Sequence, residues 1–364
     1  MKNENLLLQA RGIINEVDSE MAKLFVKRMQ AAELVAKYKM ERGLAIYDPH
    51  REEEVIRVNS QAVEDPTLRE YYVNFLRNNM AVSRAYQGRI MKGLRIAYSG
   101  TEGAFAHIAA EKLFPGTEKV AFGDFTSAYR AVENGECDVA VLPVENSYNG
   151  EVGQVIDLMF SGSLYVNGMY ELPVTHDLLA VEGATAEDIK QVVSHPQALG
   201  QCAEYIKAHG FEQREYTNTA LAAKYVAEKG DKTLAAIASA EAAELFGLTV
   251  VDHDINASRS NTTRFAIFTR VSNIKAKNDE GVHSILLFTV RNEAGALAKA
   301  IDVIGNYGFN MRCLRSRPMK ELLWQYYFYV EAEGNIQTER GSSMMEALGE
   351  FCDRLKFAGT YVKR

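Results

Sequence analysis

The sequence predicts a multidomain chain: an all-α bundle first, then a two-lobed α/β body, then a small α+β unit. Three observations carry this prediction. Residues 5–90 keep a helical period almost throughout, residues from 94 to about 270 alternate short apolar strands with helices, and the remainder reads βαββαβ. The expected divisions are 1–92, 93–272 and 280–364, within a chain of 364 residues.

The first helix shows apolar residues alternating three and four apart: Ile14, Val17, Met21, Leu24, then Ala31, Val35 and Tyr38. Arg28 stands where that seam calls for an apolar residue. Breaking a buried ion pair costs about 3–5 kcal/mol, so an anion should meet this guanidinium. Lys39 lies eleven residues on, within about 20° of the same face. Two cations aimed into one seam predict a pocket for a small polyanion inside a helical bundle. The helix should end at Gly43. Asp48-Pro49 and Asp65-Pro66 read as N-cap and first helical residue of the second and third helices, the third reaching Gln87 or Met91. Three helices with one very long member enclose a poor core, so this segment should dimerise.

After Gly93, LRIAYSG, KVAFG and DVAVLPVENS read as strands, separated by the helices GAFAHIAAEKLF and SAYRAVENG. This is α/β logic with a largely parallel sheet. A second set runs QVVSHPQ, ALGQCAEYIKAHG, EYTN, TALAAKYVAEKG, TLAAIAS and AEAAELFG, and TRFAIFTR is a strand that returns toward the first lobe. SNIKAKNDEG reads as a linker. HSILLFTV, AGALAKAIDVIGNYG, MRCLRSRP, WQYYFYVEAEG, a helix near SMMEALGEFCDRL and FAGTYV then give the ferredoxin-like order.

Composition excludes several classes. A net charge of −7 with no basic stretch argues against nucleic acid. Cys137, Cys202, Cys313 and Cys352 show no metal or redox spacing and read as reduced thiols of a cytoplasmic protein. MKNENLLLQ lacks a signal-peptide core, and no apolar run is long enough for a membrane span. Metal triads, a P-loop and G-x-G-x-x-G are absent, so neither metal nor organic cofactor is expected.

With Arg11, Arg28, Lys39, Asp48, Arg51, Glu52, Ser83 and Gln87 lined up, residues 5–90 resemble the all-helical (AroQ-type) class of chorismate mutase. The resemblance implies rearrangement of chorismate to prephenate by holding a compact conformer and stabilising charge on the ether oxygen. Arg11 and Arg28 are then the carboxylate forks. Lys39 reaches a carboxylate and the ether oxygen, and Gln87, one turn beyond Ser83, donates to the same oxygen. Glu52 takes the substrate hydroxyl, and Arg51 with Asp48 orients the start of the second helix. Arg11 is about 100° off the face of Arg28, which implies service in the partner's site of a domain-swapped dimer.

The strings SGTEGAF, LPVENSYNG, SHPQALGQC, TNTALAA and NTTRF are weak singly: Asn218-Thr219 reads first as a helix cap, His195 as a structural histidine, and His107 and His176 carry no pattern. In this order they resemble prephenate dehydratase over about residues 94–270, with a fold similar to type II periplasmic binding proteins and a site in the cleft. Prephenate loses CO₂ and hydroxide together, so the leaving hydroxyl needs a donor. The resemblance places that role on Thr263. Glu145 is the alternative if burial raises its pKa. Asn146, Ser194, Gln197, Thr219 and Arg264 are the substrate-orienting candidates, with an ion pair between lobes the competing role for Arg264.

The last segment resembles an ACT domain of the dehydratase type, on Gly295-Ala296-Leu297 and Ser316-Arg317-Pro318. It implies phenylalanine binding at backbone amides and feedback inhibition. The family pattern has Glu before Ser-Arg-Pro, whereas this chain has Arg315. Trp324, Tyr326, Tyr327, Phe328 and Tyr329 read as strand core and interface. The whole resembles a bifunctional chorismate mutase–prephenate dehydratase taking chorismate to phenylpyruvate, as a homodimer or homotetramer. Two alternatives stand beside it: one catalytic half only, or an amino-acid-sensing two-lobed binding protein without turnover. Dehydrogenation toward the tyrosine branch lacks its dinucleotide fingerprint.

Overall fold

A computed structural model describes residues 2–257, 260–272, 281–319 and 325–362; most of the expected linker and Trp324 lie outside the described residues. The chain divides into two compact bodies, Met1–Arg95 and Ile96–Arg364.

The first body consists of α1 (Lys2–Arg42), α2 (Pro49–Ser60) and α3 (Pro66–Lys92). Both expected caps form: Asp48 accepts from the Arg51 amide, and Asp65 from the Thr67 and Leu68 amides. Gly43 ends α1 with φ +63°. The buried face of α1 carries Met29, Ala32 and Ala36, packed on a third helix that buries Met80, Ser83 and Gln87. The sequence reading had the right period, and Arg28, Val35 and Lys39 of its seam line a cavity, but the face packed on α3 lies beside that seam, because Ala31, Val35 and Tyr38 are exposed. Small residues at 32 and 36 let α3 approach closely, and that decides the face. At 1.5 Å per residue α1 is about 60 Å long and α3 about 40 Å. The N-terminal half of α1 therefore leaves Leu7, Ile14, Val17, Met21, Leu24 and Phe25 exposed within this body.

The second body opens with β1 (Arg95–Ser99), α4 (Phe105–Leu113), β2 (Glu118–Phe122), α5 (Phe125–Glu133), β3 (Val139–Asn146), β4 (Gly150–Glu151), α6 (Gly153–Ser161) and β5 (Tyr165–Pro173). The second lobe follows: β6 (Asp177–Ala180), β7 (Gln191–Ser194), α7 (Pro196–Gln201), α8 (Ala203–His209), β8 (Glu212–Glu215), α9 (Thr219–Lys229), β9 (Leu234–Ala238), α10 (Ala240–Phe246) and β10 (Thr249–Asp252). Strand β11 (Thr262–Thr269) returns to the first lobe, antiparallel to both β3 and β5. The second-lobe sheet runs β10-β6-β9-β7-β8, parallel only from β9 through β7 to β8. Both lobe sheets are thus mixed rather than largely parallel. The antiparallel members arise where the chain crosses between lobes.

The remaining elements are β12 (Val282–Val290), α11 (Ala296–Asn306), β13 (Asn310–Pro318), β14 (Tyr326–Glu333), α12 (Glu339–Gly349) and β15 (Cys352–Val362), in the expected βαββαβ order. Their sheet is not separate. Strand β15 pairs parallel to β5 at Gly359 and Val166, so one sheet runs β13-β14-β12-β15-β5-β11-β3-β1-β2. Gly359 has φ +141°, and a Cβ there would collide with the Val166 backbone, so only glycine fits the junction. Ile285, Leu287, Tyr329 and Tyr361 share a core with Tyr129, Leu164 and Phe268 of the first lobe.

Candidate active sites

In the helical body a cavity of about 170 Å³ is lined by Arg28, Lys39, Asp48, Arg51, Glu52, Ser83 and Gln87, together with Arg84. The Arg28 guanidinium donates to the Asn79 carbonyl at 3.1 Å and to Ser83 Oγ. Ser83 in turn donates to the Asn79 carbonyl at 3.0 Å. Among the described residues no carboxylate pairs with Arg28, and burial lowers its pKa from the ordinary value. Neutral acceptors steer this cation without neutralising it, which leaves it free for an anion. Lys39 donates to the Ile46 carbonyl. Gln87 is buried, and its side-chain oxygen has no hydrogen-bond partner. Asp48 serves as the α2 cap.

Glu52 is ion-paired to Arg84, a residue the sequence reading passed over although it lies next to Ser83 on α3. Arg11 is exposed and lies about 25 Å along the helix from Arg28, so it does not reach this cavity.

The second body holds a cleft of about 510 Å³ at the ends of β3 and β11 and the starts of α4, α7 and α9. Asn146, Gln197, Thr219 and Thr263 line it, with His176, His195, Gln201, Asn218 and Asn261. The N-terminus of α4 has no side-chain cap and suits a carboxylate of an anionic substrate, whereas His195 and Asn218 cap α7 and α9. Gln197 and Gln201 are one turn apart on α7 and share a face. Gln201 and Asn261 lie inside strings already singled out, but no spacing rule marked them.

A hydrogen-bond chain fixes the polarity of the cleft. Asn146 Oδ1 accepts from the Tyr148 and Asn149 amides at 3.0 and 2.9 Å. Its nitrogen must therefore donate, and it does so to Thr263 Oγ1 at 3.0 Å and Asn261 Oδ1 at 2.8 Å. The Asn261 nitrogen then donates to Gln201 Oε1 at 3.2 Å, which also meets His176 Nε2 at 2.8 Å. That oxygen can only accept, so Nε2 of His176 carries the proton. Burial lowers the His176 pKa, against the opposing bond from Gln201, and keeps the ring neutral. With Thr263 Oγ1 accepting from Asn146, its own proton is left for a ligand.

Ser194, Glu145 and Arg264 correct the sequence reading, since none of them lines the cleft. Ser194 is fully buried and donates to the Ile237 carbonyl. Thr263 faces Asn146 across the β11–β3 ladder, so the next register pair, Arg264 and Glu145, points to the other side. Arg264 there binds Glu331 and Tyr361 of the C-terminal segment. Glu145 accepts from Arg264 and Arg315, which makes it an ion-pair acceptor rather than a proton donor. Of the other histidines weighed in the sequence, His195 caps α7 at the edge of the cleft it lines, and His107 accepts from the Gly103 amide.

Family models described as Chorismate mutase type II and Prephenate dehydratase match residues 10–88 and 96–273. A bifunctional chorismate mutase/prephenate dehydratase from Neisseria gonorrhoeae is 32% identical over 365 residues, spanning 98% of this chain and 97% of that protein. The chain belongs to the bifunctional chorismate mutase/prephenate dehydratase family. The enzyme rearranges chorismate to prephenate and dehydrates prephenate with loss of CO₂ to phenylpyruvate. Two solved structures share its second body. One is a prephenate dehydratase from Arthrobacter aurescens in complex with L-Phe, with 26% identity, TM-score 0.68, and coverage of 74% of this chain and 90% of that one. The other is GqqA, named a quorum-quenching acylase, with 31% identity, TM-score 0.69, and coverage of 74% and 98%.

In the enzyme's C-terminal segment, a cavity of about 430 Å³ is lined by Arg291, Glu293, Leu297, Phe328 and Arg354 among others. Gly295, with φ +84°, caps α11 just before the buried Ala296. Pro318 lines a neighbouring cavity of about 250 Å³ with Asp157 and Tyr327. Ser316 is exposed on β13, and Arg317 is ion-paired to Glu151 and Asp157 instead of lining the larger cavity.

Proposed function

We propose that the two reactions run in the helical cavity and the interlobe cleft, with the residues that line each. The observation that carries the first assignment is an Arg28 guanidinium half buried among neutral acceptors. Chorismate brings two carboxylates. One engages Arg28 and the other Lys39, whose ammonium together with Gln87 stabilises the ether oxygen as its C–O bond breaks and the new C–C bond forms. Arg84 holds Glu52 toward the substrate hydroxyl.

In the cleft, the Thr263 hydroxyl donates to the departing hydroxyl of prephenate. The carboxylate C–C bond breaks and its electron pair completes the aromatic ring. The ring C–O bond breaks with the leaving oxygen held by the Thr263 hydrogen bond, and the departing hydroxide takes a proton from Thr263, which solvent restores, and leaves as water. Asn146, oriented by two backbone amides, supports this donor, and Gln197, Gln201 and Thr219 hold the carboxylates and ketone. An acylase reading, prompted by the name of one structural neighbour, needs an activated nucleophile. Thr263 Oγ1 is bonded by an amide nitrogen rather than a base, which favours elimination.

The exposed apolar face of α1 fits a second copy of this chain, and Arg11 on that half of the helix then serves the partner's cavity. The 280–364 segment is read as an ACT domain binding phenylalanine near Gly295, Ala296 and Leu297, supported by the L-Phe complex of the Arthrobacter dehydratase.

The test is product analysis with purified enzyme. Arg28→Ala should lower chorismate turnover by at least about a hundredfold and leave prephenate turnover within about twofold. Thr263→Ala should do the reverse. Equal loss of both activities in either variant overturns the two-site assignment. Added phenylalanine should suppress phenylpyruvate formation, and an unchanged rate removes the effector role.

A further inference from the structure

At the rim of the cleft, running behind β3, lies a cluster of charges of which only Glu151 also lines the cleft. Glu145 and Glu151 are register partners across β3 and β4. Arg315 of β13 pairs with Glu145 and approaches Glu151 at 3.9 Å. Arg317, two residues on, pairs with Glu151 and with Asp157 at 2.9 Å, and Tyr327 donates to Asp157 at 2.6 Å. A Cβ at Gly153 would collide with the Arg317 guanidinium, so that backbone is fitted to its cation. The Arg315 and Glu145 side chains are each about three-quarters covered, which spares their pair most solvent screening.

These contacts matter because of what sits on the same short hairpin. Glu145 is followed by Asn146, the amide that orients Thr263, and Gly150, Glu151 and Val152 line the cleft. Strand β4 has two residues, and a pairing that short holds poorly by backbone bonds alone. Its anchors come from the C-terminal segment. The same contacts account for an arginine before Ser-Arg-Pro in this chain. A glutamate at 315 would face Glu145 and Glu151 and repel both.

We propose that Arg315 is a positioning residue for the dehydration step, holding the β3–β4 hairpin so that Asn146 keeps Thr263 pointed as a donor. The inference rests on the assignment of Asn146 and Thr263 to that step. Full-length wild type, Arg315→Met, Arg315→Lys and Thr263→Ala are compared for prephenate kcat and KM, chorismate turnover and thermal midpoint. Arg315→Met should lose about tenfold in prephenate kcat with KM and chorismate turnover within about twofold, and Arg315→Lys should recover most of the loss. A wild-type kcat in Arg315→Met, with Thr263→Ala inactive, overturns the positioning role alone. So does a loss that follows the thermal midpoint and chorismate turnover and is not rescued by lysine. Full dehydratase activity in Thr263→Ala overturns the underlying site assignment instead.

Discussion

Replacing Arg264 with methionine separates two roles that the sequence left open for it. In the structure its guanidinium meets Glu331 through two bonds, at 3.0 and 3.3 Å, and Tyr361 at 3.0 Å. Glu331 is 4% exposed. Burial alone would raise the Glu331 pKa, but the bond and charge of Arg264, with Tyr361, hold it below the usual glutamate range. Burial likewise works against the Arg264 cation, and Glu331 more than offsets it, raising its pKa. Methionine preserves most of the stem and leaves a buried carboxylate facing the phenols of Tyr329 and Tyr361, with His283 Nδ1 at 4.0 Å, and no guanidinium. Losing one partner of such a pair costs about 3–5 kcal/mol. For a body of this size each kcal/mol moves the midpoint by roughly 2–4 °C, so the second body should melt about 10 °C lower. Scanning calorimetry is the assay, with Glu331→Gln and the double variant closing a thermodynamic cycle. Prephenate KM at 25 °C should stay within about twofold. An unchanged midpoint together with a KM raised tenfold or more would refute this reasoning and return Arg264 to the substrate.

Two further outcomes follow from exposed and buried groups already described. Leu24→Asp, on the uncovered half of α1, should halve the sedimenting mass and cut chorismate kcat/KM by at least about tenfold, since Arg11 then has no neighbour to serve. A variant with wild-type mass and rate removes the dimer from the mechanism. Because Glu331 titrates lower folded than unfolded, its contribution is complete above the unfolded value near 4.5 and is lost as pH falls through the depressed folded one. Stability should therefore drop by up to about 1.4 kcal/mol per pH unit in that acid window, and Glu331→Gln should flatten the slope. An equally steep slope in that variant, measured by urea unfolding from pH 3 to 6, would show that other carboxylates set it.

What was legible in the sequence was what local chemistry dictates. Asp48-Pro49 and Asp65-Pro66 marked the helix starts because a carboxylate beside a proline serves as cap and first residue in nearly any context. Arg28 and Lys39 were readable as a pair because eleven residues return to one helical face. The packed face of α1 was not readable. Two apolar stripes compete on it, and the choice of Ala32 and Ala36 over Ala31 and Val35 belongs to α3. In the cleft, motif strings led to Asn146, Gln197, Thr219 and Thr263. Glu145 and Arg264 were misassigned because adjacent strand residues point to opposite sides, and a string does not say which side is the cleft. Arg84, Gln201 and Asn261 were missed for the converse reason: each acts on a partner distant in sequence.

The pairing of β15 with β5 also sets a clock on how the chain is made. Strand β5 is finished by residue 173, but the strand that covers its outer edge at Val166 arrives with Gly359, about 190 residues later. At synthesis rates of roughly 5–20 residues per second, that edge waits some 10–40 s on the ribosome for its neighbour. During that time its unpaired amides and carbonyls, and the apolar surface of Tyr129, Leu164 and Phe268 that Tyr329 and Tyr361 later cover, lie open to any passing strand. The nascent chain thus carries an open edge until late in synthesis, and a ribosome stalled before β15 would release a product with that edge uncovered.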